Sequence, residues 1–359
     1  MLKSICILLF TCFILPLNIV AQDDPPIEEE EEDSVVDYSN LVQTTENKAY
    51  ASSRIVGQLP IKLFSLGYDI QGAHSLSVEP FGDTGVPTDN EINSAQGLRF
   101  SINYPVYSKN DFLLNVGFNY AETNYSFNNP TSTASDPLTQ ALDNNGLRTL
   151  GFTATAFKPL NIRNYLIFQF GANLNGDYSF ANMQSLEFTR YSGAVIYGIK
   201  PNDRKMWGLG LSRTYLGGSL NYIPVYYMMY TAQSKKWGIE MLLPARFLYR
   251  RNINAKNMLL FGWEIEGNTY RISNDDNIYN LPYNDMELRR SELRFRASWE
   301  RAISPQIWLS AQAGYRYNWS FDIDRGDFVR PFGDNTPFLV ETNLGNPFYF
   351  NFSINWVSP

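Results

Sequence analysis

SELRFRASWER, residues 291–301, places polar or charged residues at alternate positions with apolar or aromatic residues between them. On an extended chain Glu292, Arg294, Arg296, Ser298 and Glu300 share one face, and Leu293, Phe295, Ala297 and Trp299 share the other, because successive side chains of a strand point to opposite sides. The pattern recurs along the chain. GLRFSINY (97–104), DFLLNVGFNY (111–120), YLIFQFGANLN (165–175), QIWLSAQAGYRYNW (306–319) and PFYFNFSINWV (347–357) all alternate, and clusters of Asn, Asp, Pro, Ser and Gly separate them. In the last stretch Phe348, Phe350, Phe352, Ile354 and Trp356 form an unbroken apolar row.

Alternation alone also fits a soluble antiparallel sandwich. What decides is the composition of each face. Gly, Ser, Thr, Asn and Gln recur on the polar face, while the apolar face carries aromatics toward segment ends, such as Tyr104, Tyr120, Tyr165, Trp237 and Trp356. A polar interior and aromatic girdles flanking a lipid-facing band are expected of a transmembrane barrel. Beyond the N-terminal segment no apolar run reaches the ~20 residues of a spanning helix, so any membrane crossing uses strands. The expected fold is all-β, an antiparallel up-and-down transmembrane β-barrel of about fourteen strands. Twelve stays open, since pattern boundaries shift by ~2–4 residues.

The segments lie at 61–78, 95–104, 111–125, 147–157, 165–177, 191–199, 206–214, 219–230, 236–243, 245–251, 258–271, 287–301, 306–320 and 347–357. Long and short connections then alternate, as outer loops and periplasmic turns do. WGIEMLLPARFLYRR (237–251) read as one strand breaks that alternation; a break at Pro244, which cannot donate to a ladder, restores it. Residues 336–343 could extend a strand beyond the membrane.

MLKSICILLFTCFILPLNIVAQ reads as a secretory signal cleaved after Ala21. A lipid anchor on Cys12 fits less well, because Phe10 and Thr11 stand where small residues are wanted. Both cysteines, Cys6 and Cys12, lie in this segment, so the mature chain is expected to lack thiols, which excludes a disulfide framework and a cysteine nucleophile. Formal charge is −7, and the eight acids between Asp23 and Asp33 account for all the acidity of the mature chain. Residues 22–55 are expected to be a disordered acidic periplasmic tail, and 56–359 the barrel. No basic patch marks a nucleic-acid partner.

These features resemble outer-membrane β-barrels of Gram-negative bacteria. The stretch GGSLNYIPVYYMMYTAQSKKWGIEMLLPARFLYRRN (217–252) is similar to an uncharacterised Bacteroidetes-type barrel family known as a domain of unknown function. The resemblance implies location in the cell outer membrane, contact with its lipid and insertion by the barrel-assembly machinery. Trp356 is followed by Val357, Ser358 and Pro359, which departs from a terminal assembly signal ending in an aromatic residue. It implies no substrate.

The wet faces suggest a lumen charge network of Arg99, Glu240, Glu264, Glu266, Glu292, Arg294, Arg296, Glu300 and Arg316. If 258–271 pairs with 287–301, Glu264 and Glu266 approach Arg294 and Arg296 across the ladder. Such a network is either structural or, in an open lumen, an ion filter. His74, the one histidine, is flanked by Ser75 on the opposite strand face, and nothing orients it as a triad would. One histidine and no mature thiol leave a zinc site to carboxylates almost alone. No catalytic residue, metal site or cofactor is expected. The functional expectation is a passive porin-like channel for small solutes. Alternatives are a closed structural or interaction barrel with partner-binding outer loops, and third an outer-membrane lipid hydrolase using His74.

Overall fold

The computed structural model describes residues 50–80, 87–128, 136–180, 183–215, 220–273, 285–325 and 338–358; the signal segment and acidic run lie outside them. Along the chain the strands are β1 Lys62–Gln71, β2 His74–Val78, β3 Thr88–Lys109, β4 Phe112–Phe127, β5 Leu147–Pro159, β6 Asn164–Gly176, β7 Arg190–Asn202 and β8 Lys205–Thr214. They continue with β9 Asn221–Thr231, β10 Trp237–Leu243, β11 Arg246–Asn254, β12 Asn257–Ser273, β13 Asp285–Ala302, β14 Ile307–Arg325, β15 Thr342–Leu344 and β16 Phe348–Val357. Among the described residues one α-helix, α1, spans Pro137–Asn145.

Fourteen of these strands close into an antiparallel ring. β1 pairs with β16 on one side (Ile70↔Phe350) and with β3 on the other (Tyr68↔Leu98), while β3 to β14 pair in sequence order, β14 joins β16, and β2 and β15 stand outside the ring. Ser358 N donates to Ile61 O at 2.9 Å, so the described start and finish of the chain meet at one end, here the lower end. Closure pairs every strand of the ring with a neighbour on each side over its lower part, which protects edges that a sheet with greasy faces would otherwise expose to aggregation. The outward rows stay bare: Phe348, Phe350, Phe352, Ile354 and Trp356 are 74, 46, 41, 49 and 58% exposed. A soluble monomer rarely leaves such contiguous apolar surface uncovered.

The wall is uneven. β3, β13 and β14 run 22, 18 and 19 residues, whereas β10 has 7 and β11 has 9. On the tall side the inner faces pack at the upper end into a core of Leu76, Ile92, Leu138, Leu142, Ile272, Leu288 and Ile323 with their neighbours. Helix α1 contributes Leu138 and Leu142. Asp136 caps it, its carboxylate accepting from Thr139 N at 3.0 Å and from the Thr88 hydroxyl at 2.6 Å, which satisfies an otherwise orphaned helix N–H.

Four local expectations change. Segment 61–78 divides at Gly72–Ala73 into β1 and β2, so that His74–Val78 leaves the ring to pair with β3 and β15. The expected loop 126–146 contains α1, and the expected loop 79–94 ends at Thr88, because the alternation of β3 continues above the ring. Tyr165 is not in the outer girdle. It sits one position off the outward row of Leu166, Phe168 and Phe170, points inward with no exposure, and stacks on Phe157 at 5.1 Å. A side chain at Gly198 would collide with its ring.

Candidate functional site

The inner face carries a charged layer across β1, β3, β12, β13 and β14. Arg316, wholly buried, donates to Asp69 at 2.7 Å and to Glu292 at 3.1 Å. Glu292 also accepts from Arg290 at 2.9 Å and from Arg294. Arg294 bridges on to Glu266, Arg296 pairs with Glu264 at 2.8 Å, and Arg99 lies 3.5 Å from Asp69. Five guanidiniums thus face four carboxylates. Charges this deep persist only when paired, because desolvation of a lone one is prohibitive. The Arg316 guanidinium also lies 4.6 Å over the Tyr349 ring.

Of the nine residues singled out in the sequence, seven fall in or beside this layer: Arg99, Glu264, Glu266, Glu292, Arg294, Arg296 and Arg316. The ion pairs are diagonal. The ladder sets Glu264 opposite Arg294 and Glu266 opposite Glu292, so each arginine reaches one rung along to its acid and the directly opposed like charges are separated by Arg294. The other two lie elsewhere. Glu300 holds Lys62 at 3.0 Å and Ser310 at 2.5 Å near the lower end. Glu240 accepts from Arg250 at 2.6 Å. Asp69, Lys62, Arg250 and Arg290 complete these pairs; alternation with Tyr68 and Tyr249 is the sequence signal for Asp69 and Arg250, whereas Lys62, two positions from outward Phe64 across a register shift, and Arg290, beside Arg289, have no such signal.

The lower mouth is crossed by residues 50–61. Ala51 N donates to Asn161 O at 2.9 Å, Val56 N to Asp203 O at 2.9 Å, and Lys200 Nζ to Arg54 O at 2.7 Å. Thr231 Oγ1 donates to Val56 O at 2.8 Å and Asn252 Nδ2 to Gly57 O at 3.2 Å. Ile55 inserts among Phe157, Tyr165, Met206, Tyr227 and Met229, while Leu59 packs on Met258, Trp308 and Val357 across the ring. Arg250, which holds Glu240, also donates to Thr231 at 2.8 Å. A chain of polar contacts therefore runs from Glu240 to this strap. Residues 50–55, read from sequence as part of the tail, are packed in the mouth.

On the low side the wall is interrupted. β10 pairs with β9 only up to Leu243↔Tyr226, and β11 with β12 only up to Arg246↔Glu264. Above that level, among the described residues, β9 pairs with β8 only, and β12 pairs with β13 on one side while its other side has lost β11. The upper end of β12 crosses instead to β6. Arg271 pairs with Gly176, Asn175 Nδ2 donates to Thr269 O at 3.1 Å, and Asp177 N donates to Arg271 O at 3.2 Å. Beneath that crossing lies a cavity of about 290 Å³, lined by β6 to β9, the Leu242–Ala245 tip and Ile265–Gly267.

His74 is buried, its Nδ1 2.8 Å from Gly72 O. Ser75 points the other way and is exposed, so the two do not meet as base and nucleophile. No cluster of metal-ligating side chains occurs among the described residues.

No family model matches the chain, and no curated protein matches it. Among solved structures, an outer membrane channel from Pseudomonas putida F1 aligns with a TM-score of 0.37 at 12% identity, over 88% of this chain and all of that one. The toluene transporter TodX of P. putida gives 0.35 at 10%, over 82% and 90%. A Pseudomonas aeruginosa FadL homologue gives 0.30 at 10%, over 83% and 91%.

Proposed function

We propose that this chain is an outer-membrane channel for small solutes that rests closed, with its lower mouth facing the periplasm. The outward apolar rows support the membrane setting, and the polar inner face supports a solute route. One observation carries the reading: the mouth is stopped by a separate segment, residues 50–61, rather than by side chains of the wall. A barrel that only had to be solid could fill its lumen from the strands, as small barrels do. A strap held by hydrogen bonds from its backbone to two turns and to the side chains of Lys200, Thr231 and Asn252 is removable without rebuilding the ring.

Planar-bilayer recording of the full-length mature chain tests this. Ile55→Asp puts a charge among Phe157, Tyr165 and Met206 and should expel the strap. The expected result is rare, brief currents from the unmodified protein and longer-lived, larger unitary currents from the variant. Silence of both across salts and voltages would overturn the channel. It would favour a closed barrel presenting its outer end to partners, a reading that the packed core of the tall side also supports.

A further inference from the structure

The cavity on the low side lies against the interruption in the wall. Its lining includes Leu242 and Glu266 from inward rows and Leu243 and Ile265 from outward rows. The outward assignment comes from register: Leu243 lies opposite Tyr226, in the row of Tyr222, and Ile265 continues the row of Phe261 and Trp263. A continuous sheet keeps its two faces apart. Ile223 and Val225 of the lining stand on β9, Ile265–Gly267 on β12 and Leu242–Ala245 on the hairpin tip between them, so the space is bordered on three sides by the two-strand gap between β9 and β12.

The height of the gap is set by the short hairpin. Trp237, against Tyr230 at 5.5 Å and Tyr249 at 6.1 Å, marks the lower aromatic girdle. From there β10 climbs seven residues to its tip. At ~3.4 Å per residue and a tilt of ~40° that is roughly 18 Å, short of the apolar band of ~25 Å. The wall therefore stops within the outer half of the band, and the cavity opens sideways into lipid.

The lining states the chemistry of an occupant. Ile196, Ile223, Val225, Leu242, Pro244 and Ile265 supply an apolar body, and Ser192, Ser212, Thr214 and Gln169 supply hydroxyls and an amide at the inner side. Among the described residues Glu266 is the one charged residue of the lining, and both its oxygens are engaged, by Arg294 and by Asn268 at 3.1 Å. No described lining residue is a cation that could pair with an anion. About 290 Å³ stands at the small end of ligand pockets, which span ~300–1,000 Å³.

We infer that this gap is a binding site for small, neutral, largely apolar molecules carrying at most a hydroxyl or amine, which enter from the outer leaflet through the broken wall. Such molecules are then the solute class of the proposed channel, and only their onward passage through the lumen rests on that reading.

The test uses two fluorophores of one skeleton with the full-length chain in nanodiscs, over the empty-nanodisc background. N-phenylnaphthylamine is neutral; anilinonaphthalene sulfonate bears one added negative charge. The neutral probe should bind saturably, one per chain, and the sulfonate about tenfold more weakly or not at all, since nothing in the lining pairs a buried anion. Ala194→Phe and Ser212→Phe, separate variants on adjacent strands that fill the cavity, should each weaken the neutral probe about tenfold. Ala154→Phe, on an outward row, should leave it unchanged. Heat-modifiable gel mobility shows that each variant forms the barrel. Equal affinity for both probes by the unmodified chain, or unaltered binding by folded cavity variants, would overturn the inference. Binding with no conductance from any variant would remove the channel reading and leave the site; conductance with no binding would do the reverse.

Discussion

The two sides of this barrel are built from the same alternating code and come out opposite in character. On the tall side, β3, β4, β12, β13 and β14 continue past the ring and have to bury what they carry. They fill the upper end with Leu, Ile and Phe, and below it they neutralise Arg316 and Glu292 in a closed layer of ion pairs. On the low side β10 and β11 stop after 7 and 9 residues, no described strand continues the wall above them, and β12 turns inward to find a partner on β6. Strand length, more than residue type, separates a sealed half from one that opens to the membrane.

The largest effect that sharpens this contrast is expected in the charged layer. Glu292→Gln leaves Arg290, Arg294 and Arg316 without their shared acid, and breaking a buried pair costs about 3–5 kcal/mol. Urea unfolding in detergent micelles should show a large loss of stability, and a change within error would mean that water reaches this layer. Next, Ile272→Ala in the upper core should cost about 2–5 kcal/mol through the cavity it leaves. Its clearest readout is faster proteolysis of the upper end with the ring intact. By contrast Thr214→Val, on the low side where the cavity already admits solvent or lipid, should shift stability by no more than about 0.5 kcal/mol. Equal costs on both sides would break the comparison.

Two smaller effects concern the lumen. Arg250→Ala cuts the link from Glu240 to Thr231 and so loosens the strap, and bilayer recordings should show more frequent openings than the unmodified chain at unchanged unitary size. Replacing Arg294 and Arg296 together by Ser leaves Glu264 and Glu266 unpaired. The reversal potential under a salt gradient should then move toward cation preference, and an unchanged potential would place the solute route away from these residues.

The ring was readable because a period of two is a local property. SELRFRASWER and PFYFNFSINWV each announce their two faces without reference to the rest of the chain, and Pro244 marks the hairpin tip because it cannot donate to a ladder. Helix α1 had a local sign as well, Asp136 followed by Pro137, the N-cap and first-turn residues of a helix start. What stayed hidden depends on distant partners. Nothing around Thr269 or Gly176 says that β12 will cross to β6, since the signal is the shortness of β10 and β11. Ala51–Ile55 has no alternation and reads as an extension of the acidic run, yet its backbone groups find partners at Asn161 and Lys200, far along the chain. Glu240 looked like Glu264 in the sequence; its partner Arg250 makes it part of the strap's anchorage instead.

The central claim is that one row of each strand meets hydrocarbon while the next row faces an interior. Single cysteines at Phe350, Phe352 and Ile354, and separately at Asn351, Ser353 and Asn355, carry a fluorophore into residues 22–359, which contain no other cysteine, reconstituted in vesicles with brominated acyl chains. The account predicts strong quenching at the first three positions and weak quenching at the other three, alternating residue by residue along β16. Uniform quenching, or none at any position, would contradict it.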